Sequence, residues 1–402
     1  MAMSGAVARE TSIIAQPAMP ARGAENAATA QTGILSYIAP LTGLRALAAL
    51  LVLLLHIKTD LPSALSDYLP FINRGWLGVD VFFVLSGFVL AHVYGRFLAT
   101  PCLADVRIFF WHRFVRIYPV HIALLGALVV MVLVGRAAGI SFNHPEGWTL
   151  AGLVRSALLL QIWSTDKISG FANNGWNGPS WSISAEAFAY LMLPVIAPVL
   201  MLIRRPIVAF AVAAAALGVM IAIFKVAQWP MYSGVGISAA LRVSCEFICG
   251  AALSRAADFS AKSARTPYLL GDIVGICGLV LFLIGASVRF STLLTIPFIA
   301  MMIWGAATAR GPLARSLGSR PLIWLGDISY SIYMVHMPAL LVIVRAWQHL
   351  GYAGWPQPMR LVAIAITAGI VIGLAATIYY AIEWPLRTRW RDTFGKLGAH
   401  VP

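Results

Sequence analysis

Apolar residues along this chain come in long unbroken runs rather than at the two-residue spacing of a half-buried strand. Stretches 117–135, 207–224, 290–309 and 361–382 carry no formal charge, and each is close to the ~20 residues a helix needs to cross a bilayer. Six more, 41–57, 76–95, 181–203, 235–253, 273–288 and 328–348, are apolar with a few embedded polar residues. The pattern predicts an all-α integral membrane protein of about ten transmembrane helices. An eleventh apolar stretch, 150–163, is short and carries Arg155 near its middle.

Composition agrees with that reading. Of 402 residues, 60% are hydrophobic and 11% charged, against about 25% charged in ordinary soluble domains. This excludes a soluble globular enzyme, a disordered regulator and a nucleic-acid-binding domain. The net charge of +14 therefore becomes a question of topology. With the N-terminus inside and 150–163 not spanning, 18 of the 29 Lys and Arg fall inside and 8 outside. Arg45, Arg242 and Arg345 lie within helices. Counting 150–163 as a span would move Arg204, Arg205 and the cluster at 255–265 outside, against the positive-inside rule. Both termini are thus expected in the cytoplasm, with 136–180 as one external loop holding a re-entrant or interfacial helix. Trp148, Trp163 and Trp176 in that loop read either as an interfacial aromatic belt or as sugar-stacking platforms. Residues 1–34 read as a disordered cytoplasmic tail with no signal-peptide core, 35–390 as the membrane domain and 391–402 as a cytoplasmic tail. Cys102, Cys245, Cys249 and Cys277 show no metal-ligand spacing and read as small hydrophobes; no metal is expected.

Each charge within the membrane costs about 3 kcal/mol or more and needs a reason. Arg45 and His56 are eleven residues apart in the first span, so they share a helix face about 16 Å apart. Either alone reads equally as a snorkelling end residue; together they point to a lined pathway. The second span holds Asp80 near its outer end, then Ser86, Gly87 and His92. Asp80 is expected to reach His56, fixing its tautomer and raising its basicity, or else to cap and pack. Gly78 and Gly87 permit close helix contact. Arg113 and Arg116 share a helical face on the cytoplasmic side. They suit phosphate groups or simple positive-inside anchoring. Glu186 opens the fourth span. In the sixth, Arg242 and Glu246 are four apart and expected to neutralise one another. Tyr330, Ser331 and His336 add hydrogen-bonding groups to the ninth, and Glu383 stands at the end of the tenth.

These segments, in this order, resemble the membrane-bound acyltransferase family 3. The likeness rests on LTGLRALAALLVLLLH with Arg45 and His56, GVDVFFVLSGF at 78–88, RFVRIYP at 113–119, WSISAE at 181–186 and SYSIYMVH at 329–336. Arg242 with Phe247 and Gly250, and Glu383 with Pro385, match two further motifs. Thr42 stands where many relatives carry an acidic residue.

The resemblance implies an O-acyltransferase in the cell inner membrane. Such enzymes carry an acyl group, commonly acetyl, from cytoplasmic acyl-CoA to a hydroxyl of a glycan or glycolipid such as exopolysaccharide or lipopolysaccharide. Acyl-CoA is a co-substrate, and no permanently bound cofactor is implied. On this reading Arg113 and Arg116 bind the coenzyme phosphates and His56 is the general base or acyl carrier, with His336 a second candidate. Asp80 or Glu186 orients it, and Arg45, Tyr330 or Ser331 meets the oxyanion. Ser86, Gly87 and Arg242 complete the pocket. An SGNH hydrolase-like domain, which some relatives carry, is not expected. The alternative from another class is a transporter or flippase for a lipid-linked sugar or small molecule, using the same polar stripe.

Overall fold

Proline and glycine punctuate the apolar runs into helices. The computed structural model of the chain describes residues 38–139, 148–163, 176–230, 236–262, 267–288 and 291–394. The tail expected over 1–34 and most of that over 391–402 lie outside them. Helix α1 (Ala39–Asp60) has Pro40 in its first turn and Lys58 in its last, the arrangement that fixed φ and the helix dipole favour. Then come α2 (Leu77–Tyr94), α3 (Leu103–Ala137), α4 (Leu150–Ala157), α5 (Trp181–Met201), α6 (Pro206–Val226) and α7 (Gly236–Lys262). They are followed by α8 (Leu270–Ser287), α9 (Ile296–Thr308), α10 (Pro312–Leu317), α11 (Arg320–Asp327), α12 (Ser329–His349) and α13 (Gln357–Ile378). A π-helical turn, Tyr379–Glu383, joins α13 to α14 (Trp384–Trp390). No strand occurs among the described residues.

Nine helices, rather than the ten expected, are long and apolar enough to span a membrane among the described residues. The difference lies at 290–309. There a 3-10 turn, Thr292–Thr295, leads into α9 of 13 residues, about 20 Å of helix against a ~30 Å hydrocarbon core. The third span also differs from expectation. Helix α3 starts at Leu103, where Asp105 Oδ2 accepts the Cys102 backbone N–H at 3.1 Å, and runs for 35 residues through Pro119. Arg113 and Arg116 therefore ride on the same rod as the span itself.

Close packing depends on small residues, as in membrane bundles generally. Gly87 of α2 lies against the Phe247 carbonyl of α7, and Gly250 of α7 against the Val84 carbonyl of α2, so a Cβ at either position would collide with backbone. Gly87, expected as a pocket residue, is a packing residue instead. Helix α1 packs against α2, α10, α11, α12 and α13, and one continuous apolar core runs through the bundle. Ile207, Val208 and Val219 of α6 and Val362, Ile366 and Ile370 of α13 face outward, as lipid contact requires.

Segment 150–163 does not span: α4 has eight residues. It is pinned to α3 where Tyr118 donates to the Ala157 carbonyl at 3.0 Å and His121 to the Ser156 carbonyl at 2.8 Å. Trp176 donates from its indole to the Thr149 carbonyl at 2.8 Å and meets Trp148 edge-on at 5.3 Å. These two tryptophans close a small satellite core with Leu125, Leu128 and Val132. Trp163 alone of the three stays half exposed, edge-on to Phe188. Cys245 and Cys249 are buried, but Cys102 and Cys277 are exposed.

Candidate active site

Five helices close around one cavity of about 120 Å³. Arg45 enters from α1, Phe82 and Ser86 from α2, and Arg113 and Arg116 from α3. Ser182, Glu186 and Tyr190 come from α5, and Tyr330 and Tyr333 from α12. Residues far apart in sequence meet here because α1, α3, α5 and α12 each turn their few polar positions inward. Three guanidiniums face a single lining carboxylate, so the cavity is a net cation and suits an anionic ligand.

The arginines are held on aromatic faces. Arg113 donates to the Tyr94 hydroxyl at 3.0 Å and lies 5.1 Å from that ring and 6.0 Å from Tyr190. Arg116 sits 5.3 Å from the Tyr330 ring and pairs with Glu383. Such stacking fixes a planar guanidinium while leaving part of its donor fork for a ligand. Glu186 accepts from Ser86 at 2.8 Å and is hydrogen-bonded to Tyr190. It is thereby fixed on the cavity side rather than at His56.

Asp80 does not reach His56 either. Its Oδ1 accepts from Arg242 Nε at 2.7 Å and is ion-paired with a terminal nitrogen of the same guanidinium at 2.7 Å. Glu246, the expected partner of Arg242, stands further off at 3.7 Å. Asp80, Arg242 and Glu246 are at most 1% exposed, enclosed by Trp76, Phe83 and Trp181 at 5.7, 6.0 and 5.8 Å from the guanidinium. This buried, walled charge cluster ties α2 to α7.

His56 instead meets His336 of α12, ring centroids 4.9 Å apart. His56 Nδ1 is 2.9 Å from the Val52 carbonyl, and His336 Nδ1 is 2.6 Å from the Tyr333 carbonyl. A carbonyl only accepts, so both rings carry the proton on Nδ1 and present a basic Nε2. That is the tautomer a general base needs, set here by backbone rather than by a carboxylate. Neither histidine lines the arginine cavity. Tyr333, which lines the cavity, lies 5.6 Å from His336.

Tyr330 and Ser331 are engaged elsewhere: Tyr330 donates to the Ile117 carbonyl and Ser331 to Glu383 at 2.7 Å. Sequence reasoning missed Tyr94, Tyr190, Ser182 and Tyr333 as site residues. It placed Glu383 only at a boundary, although Glu383 is 1% exposed and binds Arg116, Ser331 and, at 3.9 Å, Arg387. A buried acid preceding a Trp-Pro step at the end of an apolar run was the available signal. Its π-helical turn is a feature often found at functional sites.

Fold and site together define an all-α, multi-pass integral membrane protein with an arginine-lined cavity near a pair of imidazoles. Residues 38–380 match the acyltransferase domain of acyltransferase family 3, and the chain belongs to that family. It is 28% identical over 326 residues to the exopolysaccharide production protein ExoZ of Rhizobium meliloti (strain 1021), covering 79% of this chain and 91% of that protein. It is 25% identical over 352 residues to YrhL of Bacillus subtilis (strain 168), provisionally named a peptidoglycan O-acetyltransferase. That match covers 81% of this chain and 52% of YrhL, so the chain spans about half the length of that relative. A third match, 38% identical over 122 residues, is the acyltransferase MdmB of Streptomyces mycarofaciens, covering 30% of this chain and 28% of that protein. No solved structure matches.

Proposed function

We propose that the protein is an O-acyltransferase of the cell inner membrane. It moves an acyl group, acetyl by preference, from cytoplasmic acyl-CoA to a hydroxyl of a cell-surface or secreted glycan or glycolipid. The observation that carries this reading is the gathering of Arg45, Arg113 and Arg116 around one cavity, with the His56–His336 pair beyond it on α1 and α12. Arg113 and Arg116 take the coenzyme phosphates. Arg45, one polar step deeper, meets the pantetheine arm.

His56 takes the proton of the acceptor hydroxyl on Nε2. The hydroxyl oxygen bonds the thioester carbonyl carbon, the C–S bond breaks, and the proton passes to the leaving thiolate. His336 lies close enough to share that proton. On this reading Asp80 serves as counter-ion of Arg242 rather than at His56, and Glu186 positions Ser86 and Tyr190 at the cavity.

Membranes holding wild type and His56→Ala are incubated with radiolabelled acetyl-CoA and the label is followed into extracted glycans and lipids, with expression of both forms checked. Label in one fraction that disappears in the variant is the expected result. Substrate movement across the membrane without acyl transfer would overturn the reading in favour of a transporter.

A further inference from the structure

The arginine cavity and the histidine pair are neighbours, yet an aromatic wall divides them. Phe82 and Tyr333 both line the cavity. Their rings meet edge-on at 6.0 Å, and Tyr333 also lies 5.6 Å from His336, which does not line the cavity. Ring contacts run from Phe82 to Tyr333, from Tyr333 to His336 and from His336 to His56. Tyr333 is fixed at its tip: its hydroxyl donates to the Pro179 carbonyl at 3.0 Å and accepts from Ser182 at 2.7 Å. A tyrosine clamped at both backbone and hydroxyl is a built partition rather than incidental packing.

We propose that Tyr333 and Phe82 form a gate between donor and acceptor compartments, with the Ser182–Pro179 clamp setting how tightly thioester cleavage is coupled to transfer. The inference rests on the acyl-CoA reading above and specifies how that site avoids waste. With the gate intact, the thioester carbonyl is kept from imidazole-activated water. With it breached, water replaces the acceptor. The water oxygen bonds the acyl carbon, the C–S bond breaks, one water proton passes through the imidazole to the leaving thiolate, and a free carboxylic acid results. Exclusion of water from a reactive intermediate is a recognised use of such closures.

Two measurements on the full-length protein in detergent test this. The first compares, in wild type, Phe82→Ala and Tyr333→Phe, thiol release from acetyl-CoA without acceptor and, in a parallel reaction with glycan acceptor, the share of cleaved acetyl that reaches the glycan. Phe82→Ala is expected to raise hydrolysis about fivefold while the fraction of cleaved thioester appearing on glycan falls. Tyr333→Phe, which keeps the ring but loses the clamp, is expected to show the same change more weakly. Hydrolysis and transfer falling together in both variants would overturn the gate.

The second needs no activity. His336→Cys is made alone and with Phe82→Ala, and its maleimide labelling is timed by peptide mass spectrometry. About fivefold faster labelling in the double variant is expected if the wall shields His336 from the cavity; unchanged labelling would overturn the proposal. A wild type that neither cleaves nor transfers from acetyl-CoA would sink the functional reading, while the labelling still decides the wall.

Discussion

Removing the guanidinium of Arg242 should be among the costliest single changes in the bundle. Arg242→Met keeps the apolar stem but leaves Asp80 and Glu246, both 0% exposed, as two adjacent carboxylates without a cation. Breaking a buried pair by deleting one partner costs about 3–5 kcal/mol. Loss of the cation from between Trp76, Phe83 and Trp181 adds about 1 kcal/mol. The three acid and base groups are not equivalent. Asp80 takes two contacts at 2.7 Å from Arg242, and Glu246 one at 3.7 Å, so Asp80→Asn should cost more than Glu246→Gln. The triple variant Arg242→Met, Asp80→Asn, Glu246→Gln removes every formal charge and should regain most of the single variant's loss. Reversible unfolding in mixed micelles, titrated with a denaturing detergent, measures all four. An Arg242→Met loss below about 1 kcal/mol, or a triple variant no more stable than the single one, would refute the reasoning. So would Asp80→Asn abolishing turnover at unchanged stability, since that would return Asp80 to catalysis.

Arg113→Ala and Arg116→Ala should each raise KM for acyl-CoA about tenfold or more, the value of one lost charge-assisted contact. With an acyl-pantetheine donor lacking the nucleotide, rates of both variants should match wild type. Glu383→Ala leaves Arg116 and the Ser331 hydroxyl without their buried acceptor and should cost about 1–3 kcal/mol in the same unfolding assay, with a raised KM for the donor. Gly87→Leu drives a side chain into the Phe247 carbonyl, and should lose monodisperse protein on size-exclusion chromatography while Gly126→Leu, open on all sides, does not.

Much of this architecture was legible because transmembrane helices announce themselves by length and hydropathy alone. The expected Arg45 and His56 stripe on one helix, the Arg113 and Arg116 face and the non-spanning 150–163 all follow from helical period and charge placement. Partner choice did not follow. Spacing shows which residues share a face but not which helix that face meets. Arg242 therefore looked satisfied by Glu246, four residues away, when Asp80, 162 residues away in the chain, holds the closer contacts. The same blindness assigned Asp80 to His56. Helix α9 was overcounted as a full span because hydropathy cannot see that Thr292–Thr295 leave the α-helical path.

The placement of the two basic features sets the physical problem the protein has to solve. Along α1, Arg45 and His56 are separated by about 16 Å of helix, half the thickness of a hydrocarbon core. The anion-receptive end and the proton-accepting end therefore cannot act on the same atoms. On the acyl-CoA reading proposed above, phosphate recognition is spent at one end, and a slender neutral arm runs from it past Glu186 and Ser86 toward the imidazoles. On the same reading, the proposed Tyr333 gate keeps from the acyl group the water that would intercept it. It also demands that the tautomer of the imidazoles be fixed, and a carboxylate charge would be costly there. The backbone carbonyls of Val52 and Tyr333 meet that demand at no charge.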